Sequence, residues 1–83
     1  MNVSIEISMY PLADDYIPPI QAFIERLNRH SDLKVLTNTM STQVFGPYAE
    51  TLRIVAEAMQ AQHRETPKAS FVIKVLNGDL RPE

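Results

Sequence analysis

Two different apolar spacings follow one another along this chain, and the helical spacing then recurs in the second half. In the segment NVSIEISMY, residues 2–10, every second residue is apolar, which predicts a strand with one buried face. Apolar residues then recur at helical spacing at Tyr16, Ile20, Phe23, Ile24 and Leu27. The second half repeats this stripe at Tyr48, Leu52, Val55, Ala56 and Met59. The two stripes match position for position, so the chain is predicted to contain two similar halves.

Three further segments are predicted to be strands. LKVLTN, residues 33–38, and TQVFG, residues 42–46, follow the first helix, and SFVIKVL, residues 70–76, follows the second. Only Thr39, Met40 and Ser41 separate the second strand from the third, so these two are expected to form an antiparallel hairpin.

The helix starts carry recognisable signals. Asp14 or Asp15 is expected to cap the first helix, because Pro18 and Pro19 fit only near a first turn. Pro47 is acceptable at the start of the second helix.

The predicted order is strand, helix, strand, strand, helix, strand. Short connections and the handedness of crossovers favour one α+β architecture, the ferredoxin-like βαββαβ split sandwich. Its four-stranded antiparallel sheet runs in the order 4-1-3-2, with both helices on one face. Residues 1–83 are expected to form a single domain.

The face of the sheet opposite the helices, called the open face below, is expected to be bare. It is predicted to carry Ser4, Glu6, Ser8, Tyr10, Leu36, Val72, Lys74 and Leu76. Either Val44 or Phe45 joins them, because the pattern does not fix the register of the third strand. A large exposed apolar patch usually marks an interface, so we expect self-association through this face.

The segment TNTMSTQVFG, residues 37–46, has two interpretations. Its hydroxyl and amide residues favour a simple turn with polar flanks, or they form the wall of a ligand site. In the predicted topology residues 38–43 meet the end of the first strand and the start of the first helix, where small-ligand sites tend to form. Glu6 likewise forms an ion pair with Lys74, or its carboxylate holds a cationic ligand.

Several function classes are disfavoured. The chain has no cysteine and a net charge of −2 with mixed signs, which suits a cytoplasmic protein and argues against nucleic acid as a partner. No secretory or membrane-spanning segment is recognisable. No catalytic set, metal-ligand spacing or cofactor motif is found, and His30 and His63 fit helix ends.

Three segments, VSIEISMYPL, TNTMSTQVFG and FVIKVLNGDL, together resemble the thiamine-binding, YkoF-like family of small ferredoxin-like proteins. The resemblance implies a non-enzymatic binding protein for thiamine or its hydroxymethylpyrimidine moiety. It also implies a homo-oligomer, a dimer or a tetramer, built by packing sheets.

The resemblance, together with the polar open face, gives the candidate ligand-binding residues. They are Ser4, Glu6, Ser8, Thr37, Asn38, Met40, Ser41, Thr42, Gln43 and Phe45. Tyr10, Phe45 or Tyr48 is expected to lie against the aromatic rings of the ligand. The alternative is a structural or regulatory assembly module with no small-molecule ligand.

Overall fold

The computed structural model describes residues 1–38 and 40–82 of the chain. Its elements are β1 (Asn2–Pro11), α1 (Ile17–Asn28), β2 (Lys34–Thr37), β3 (Thr42–Pro47), α2 (Tyr48–Glu65) and β4 (Ala69–Asn77). The strands form one antiparallel sheet in the order β2-β3-β1-β4, which confirms the predicted βαββαβ split sandwich. The expectation that Thr39 belongs to the hairpin turn lies outside the described residues. No helix in the described part of the chain is long and apolar enough to cross a membrane.

The buried face of the sheet follows the alternation in β1. Val3, Ile5, Ile7 and Met9 are all buried beneath the helices, together with Phe23 and Leu27 of α1. In β3, Val44 pairs with Ile5 and is fully buried, whereas Phe45 pairs with Ser4 and lies on the open face. The register that the sequence left open is therefore decided by pairing with β1.

The predicted cap of α1 is wrong. The N-cap residue is Tyr16, and no side chain caps the helix. A capping side chain accepts hydrogen bonds from the backbone N–H groups at the second and third helical positions. These positions are Pro18 and Pro19, which have no N–H group, so neither Asp14 nor Asp15 would find a donor there.

The predicted stripe of α2 is also partly wrong. Tyr48 and Ala56 are exposed. The buried positions are Thr51, Ile54, Val55, Ala58 and Gln62. Thr51 and Gln62 are polar, so the apolar pattern of the sequence did not include them. Their helical spacing relative to Val55 is the only sequence signal that could have found them. Tyr16 was also assigned to the α1 stripe, but it is exposed and precedes that helix.

The buried side chain of Gln62 forms hydrogen bonds that link α2 to α1. Arg26 Nε donates to Gln62 Oε1 at 2.8 Å, and Gln62 Nε2 donates to the carbonyl of Pro19 at 3.3 Å. Arg26 also pairs with Glu65 on α2. The polar ends of the Gln62 side chain are thus satisfied, which is what allows a glutamine to be buried.

The open face is not bare, which corrects the prediction. The segment that follows β4, residues 78–82, is called the C-terminal tail below. Gly78, with φ of +104°, turns it back across β1. Ser4 Oγ donates to Gly78 O at 2.7 Å and accepts from Leu80 N at 2.9 Å. Ser4 is consequently buried.

Candidate ligand-binding site

A depression of about 440 Å³, called the end pocket below, opens where β1 ends and α1 begins. Its apolar lining includes Ile7, Met9, Ile20, Phe23 and Ile24. Its polar lining consists of Ser8, Thr37, Asn38, Ser41 and Thr42. Tyr10, Tyr16 and Met40 also line it, and all three are largely exposed. An apolar cavity with a few convergent polar groups is the usual form of a small-molecule site.

The β2–β3 hairpin supplies four of the five polar lining residues, and Asn38 fixes its turn. Asn38 Oδ1 accepts from the N–H groups of Met40 at 2.8 Å and Ser41 at 3.0 Å. The Asn38 N–H donates to Ser41 O at 3.1 Å. These bonds confirm the turn interpretation for Asn38, Met40 and Ser41, and asparagine is a residue that favours such local bonds. Asn38, Met40 and Ser41 of the same turn also line the end pocket, so the two interpretations are compatible.

Two side chains of β1 hold this turn from outside. Ser41 Oγ donates to Glu6 Oε2 at 3.1 Å, and Ser8 Oγ donates to Met40 O at 3.3 Å. On the other side of Glu6, Lys74 Nζ lies 3.5 Å from Oε1. The predicted ion pair between Glu6 and Lys74 is therefore present, although both side chains are partly exposed.

The strands at the pocket carry two facing hydroxyl groups. Thr37 and Thr42 are paired residues of β2 and β3, and their Oγ1 atoms lie 3.5 Å apart. Thr42 is buried and Thr37 is exposed. At this separation the bond between the hydroxyls is long, so either one has capacity to bond a ligand.

A second depression of about 310 Å³, called the face pocket below, lies on the open face. Its lining includes Ser4, Glu6, Gln43, Phe45, Lys74 and Leu80. The guanidinium carbon of Arg81 stands 5.9 Å from the centroid of the Phe45 ring. The C-terminal tail therefore forms part of the wall of this pocket.

The structure divides the ten candidate residues between these two places. Ser8, Thr37, Asn38, Met40, Ser41 and Thr42 line the end pocket. Ser4, Glu6, Gln43 and Phe45 line the face pocket. Of the three aromatic candidates, Tyr10 lines the end pocket and Phe45 lines the face pocket, whereas Tyr48 begins α2 and lines neither. Tyr16 was missed as a site residue because its spacing assigned it to the core.

Two electrostatic features lie away from the end pocket. The Arg81 side chain bonds Asp79 and holds the pKa of that carboxyl below its ordinary value. A hydrogen bond between the carboxyl groups of Asp32 and Glu50 lowers the pKa of Asp32 and raises that of Glu50. Within residues 1–38 and 40–82, no group of three or more His, Cys, Asp or Glu side chains is arranged to hold a metal ion.

Comparison with known families gives one match over most of the chain. The family model for thiamine-binding proteins matches residues 5–81. A search of curated proteins finds no match.

Three solved structures share the fold. A Streptococcus pneumoniae protein is 23% identical with a TM-score of 0.87, covering 96% of this chain and 90% of its own. A Thermotoga maritima protein, assigned provisionally to thiamine biosynthesis or salvage, is 18% identical with a TM-score of 0.82, covering 98% and 85%. A hypothetical protein of Methanocaldococcus jannascii is 25% identical with a TM-score of 0.81, covering 98% and 84%.

Proposed function

The chain belongs to the thiamine-binding protein family, and we propose that it binds thiamine, or the hydroxymethylpyrimidine moiety of thiamine, without catalysing a reaction. The end pocket is the site. The observation that carries this assignment is that six of the ten candidate residues line this one depression, around an apolar floor. Its volume of about 440 Å³ lies within the usual range for small-molecule sites.

The chemistry of the lining suits this ligand. The aminopyrimidine ring has donors and acceptors on its edge, and the hydroxyl groups of Thr37 and Thr42 can serve either role. The thiazolium ring of thiamine is a cation. Tyr10 and Tyr16 line the pocket, and a cation placed over an aromatic ring gains about 0.5 to 2 kcal/mol.

A thermal unfolding experiment tests the assignment. The melting temperature is measured alone, with thiamine and with hydroxymethylpyrimidine. Ligand at 100 times its dissociation constant is expected to stabilise the protein by about 2.7 kcal/mol. Absence of a shift and of calorimetric heat with both compounds would favour the alternative, an assembly module with no small-molecule ligand.

The second part of the proposal is that the chain forms a homo-oligomer through the open face. Val72, Leu76 and Leu80 are 61%, 43% and 63% exposed on or beside it. Leu76 pairs with Ser4, and Ser4 bonds Leu80 N, so these two residues lie together. Contiguous exposed apolar surface usually marks an interface. The C-terminal tail covers Ser4 and Phe45, so the contact surface lies toward β4 and not at the centre of the sheet.

Two valines of β4 test which face of the sheet forms the oligomer interface. Val72 pairs with Ser8 on the open face, and Val75 pairs with Ile5 on the helix side. Both are exposed, at 61% and 44%. In sedimentation equilibrium, Val72→Glu is expected to give monomer and Val75→Glu to keep the wild-type mass. A wild-type monomer at micromolar concentration would contradict the proposal.

A further inference from the structure

The carboxylate of Glu6 reaches the turn of the end pocket without lining that pocket. Glu6 pairs with Gln43 and Lys74 in the sheet, and its side chain lies on the open face. Its Oε2 accepts the hydroxyl of Ser41, which does line the end pocket. One side chain therefore contacts both the face pocket and the turn that borders the end pocket.

For Asn38, Met40 and Ser41, the described residues of the turn, few side-chain bonds to other elements are present. Within it, Asn38 bonds Met40 and Ser41. From β1, the bonds described are those of Glu6 to Ser41 and Ser8 to Met40 O, and the latter is long at 3.3 Å. The bond from Ser41 to Glu6 is the shorter of the two, at 3.1 Å. Among the described bonds, the one to Glu6 is thus the main external support of the turn.

We propose that Glu6 is a positioning residue for ligand binding, which acts by holding Ser41 and with it the turn that carries Asn38 and Met40. This inference rests on the proposed function of the end pocket. On this proposal, the ion pair between Glu6 and Lys74 contributes less to ligand binding than the bond to Ser41. Lys74 is 78% exposed in its side chain, and an exposed pair of this kind contributes little. The bond to Ser41, and not the charge of Glu6, carries the effect.

Three variants separate positioning from direct contact with a cation. Glu6→Gln keeps a side-chain oxygen that can accept the Ser41 hydroxyl, so its affinity for ligand should stay within about twofold of wild type. Glu6→Ala removes the acceptor and should weaken binding by about three- to tenfold. Lys74→Gln removes the ion pair alone and should match wild type.

A comparison between a charged and an uncharged ligand provides a second test. In calorimetry, Glu6→Ala should weaken the binding of thiamine and of uncharged hydroxymethylpyrimidine by similar factors, because the turn serves both. If Glu6 contacted the thiazolium directly, Glu6→Gln and Glu6→Ala would both lose thiamine affinity and hydroxymethylpyrimidine would bind normally. That pattern would overturn the proposal.

Amide hydrogen exchange decides the inference without any ligand. The amides of Asn38, Met40 and Ser41 are bonded within the turn. In ligand-free protein they should exchange several-fold faster in Glu6→Ala and at the wild-type rate in Glu6→Gln and Lys74→Gln. Unchanged exchange in Glu6→Ala would refute the positioning role. Failure of the wild-type protein to bind either compound would instead count against the proposed function.

Discussion

Phe45 lies beside Ser4 on the face of the sheet that carries no helix, yet only 3% of Phe45 is exposed. The C-terminal tail accounts for this burial. Ser4 bonds two backbone groups of the tail, and Arg81 stands over the Phe45 ring. The tail thus covers the part of the open face nearest to the start of β1, and it leaves the exposed apolar residues of β4 uncovered.

Ser4→Ala is expected to release the tail. The change removes the acceptor for Leu80 N and the donor for Gly78 O, which together should cost about 1 to 2 kcal/mol of unfolding free energy. Exchange of the Leu80 amide should become faster. Ser8→Ala is the control, because Ser8 lies on the same strand and face but bonds the hairpin turn. Equal Leu80 exchange in both variants would mean that Ser4 does not hold the tail.

Arg81→Gln is expected to raise the pKa of Asp79 toward its ordinary value. The Arg81 side chain lowers that pKa in the folded protein, so the contribution of this pair is present above the unfolded pKa, near 3.8. It is lost as the pH falls through the lowered pKa. Carboxyl carbon chemical shifts followed by NMR through acid pH measure the change. An unaltered Asp79 titration in Arg81→Gln would show that another group lowers the pKa.

Thr42→Val tests the hydroxyl wall of the end pocket. Valine keeps the branched shape and strand preference of Thr42, so stability should change little. Loss of one neutral hydrogen bond to the ligand should cost about 0.5 to 1.5 kcal/mol of binding free energy. Titration calorimetry and a thermal melt on the same protein separate the two effects. A stability loss at unchanged affinity would give Thr42 a purely structural role.

Thr51→Val makes the same chemical change away from the pocket and serves as its control. Thr51 is fully buried, and its Oγ1 has no hydrogen-bond partner within the part of the chain that the structure describes. An unsatisfied buried hydroxyl is costly, so valine should raise the free energy of unfolding by about 1 kcal/mol and leave ligand affinity unchanged. Urea denaturation measures the gain. A destabilised variant would indicate that the hydroxyl has a partner after all.

Thr51 of α2 lies directly against Gly46 of β3. A Cβ at Gly46 would lie 2.6 Å from Thr51 Oγ1 and 2.9 Å from Leu33 Cδ2. Helix α2 therefore approaches β3 closely at this point, and Gly46 makes the approach possible. Sequence reasoning assigned Gly46 only to the end of a strand, because a contact between distant elements has no local signature.

The sequence predicts that several of the candidate residues lie close together, but not that the candidates are divided between two pockets. Strand pairing requires the end of β1 to meet the start of β3, so the proximity of Ser8 to Ser41 and Thr42 follows from topology. Alternation assigns Glu6 and Ser8 to one face, but it does not say that Ser8 borders the end pocket while Glu6 lies in the face pocket. Ser8 bonds Met40 of the turn, which lines the end pocket, whereas Glu6 also faces Lys74 of β4.

The sequence by itself determined the order of elements, the sheet order and the buried face of β1. The element order and the buried face follow from the period of the apolar residues, which is a local property of the chain. The sheet order follows from the short β2–β3 connection and the general handedness of crossovers. Only the tertiary structure decided that Phe45 and not Val44 faces away from the helices, that Gln62 is buried through Arg26, and that the tail covers Ser4. Each of these depends on a hydrogen bond or strand pairing between residues far apart in the chain, and the energy of such contacts is not encoded in the spacing of either partner.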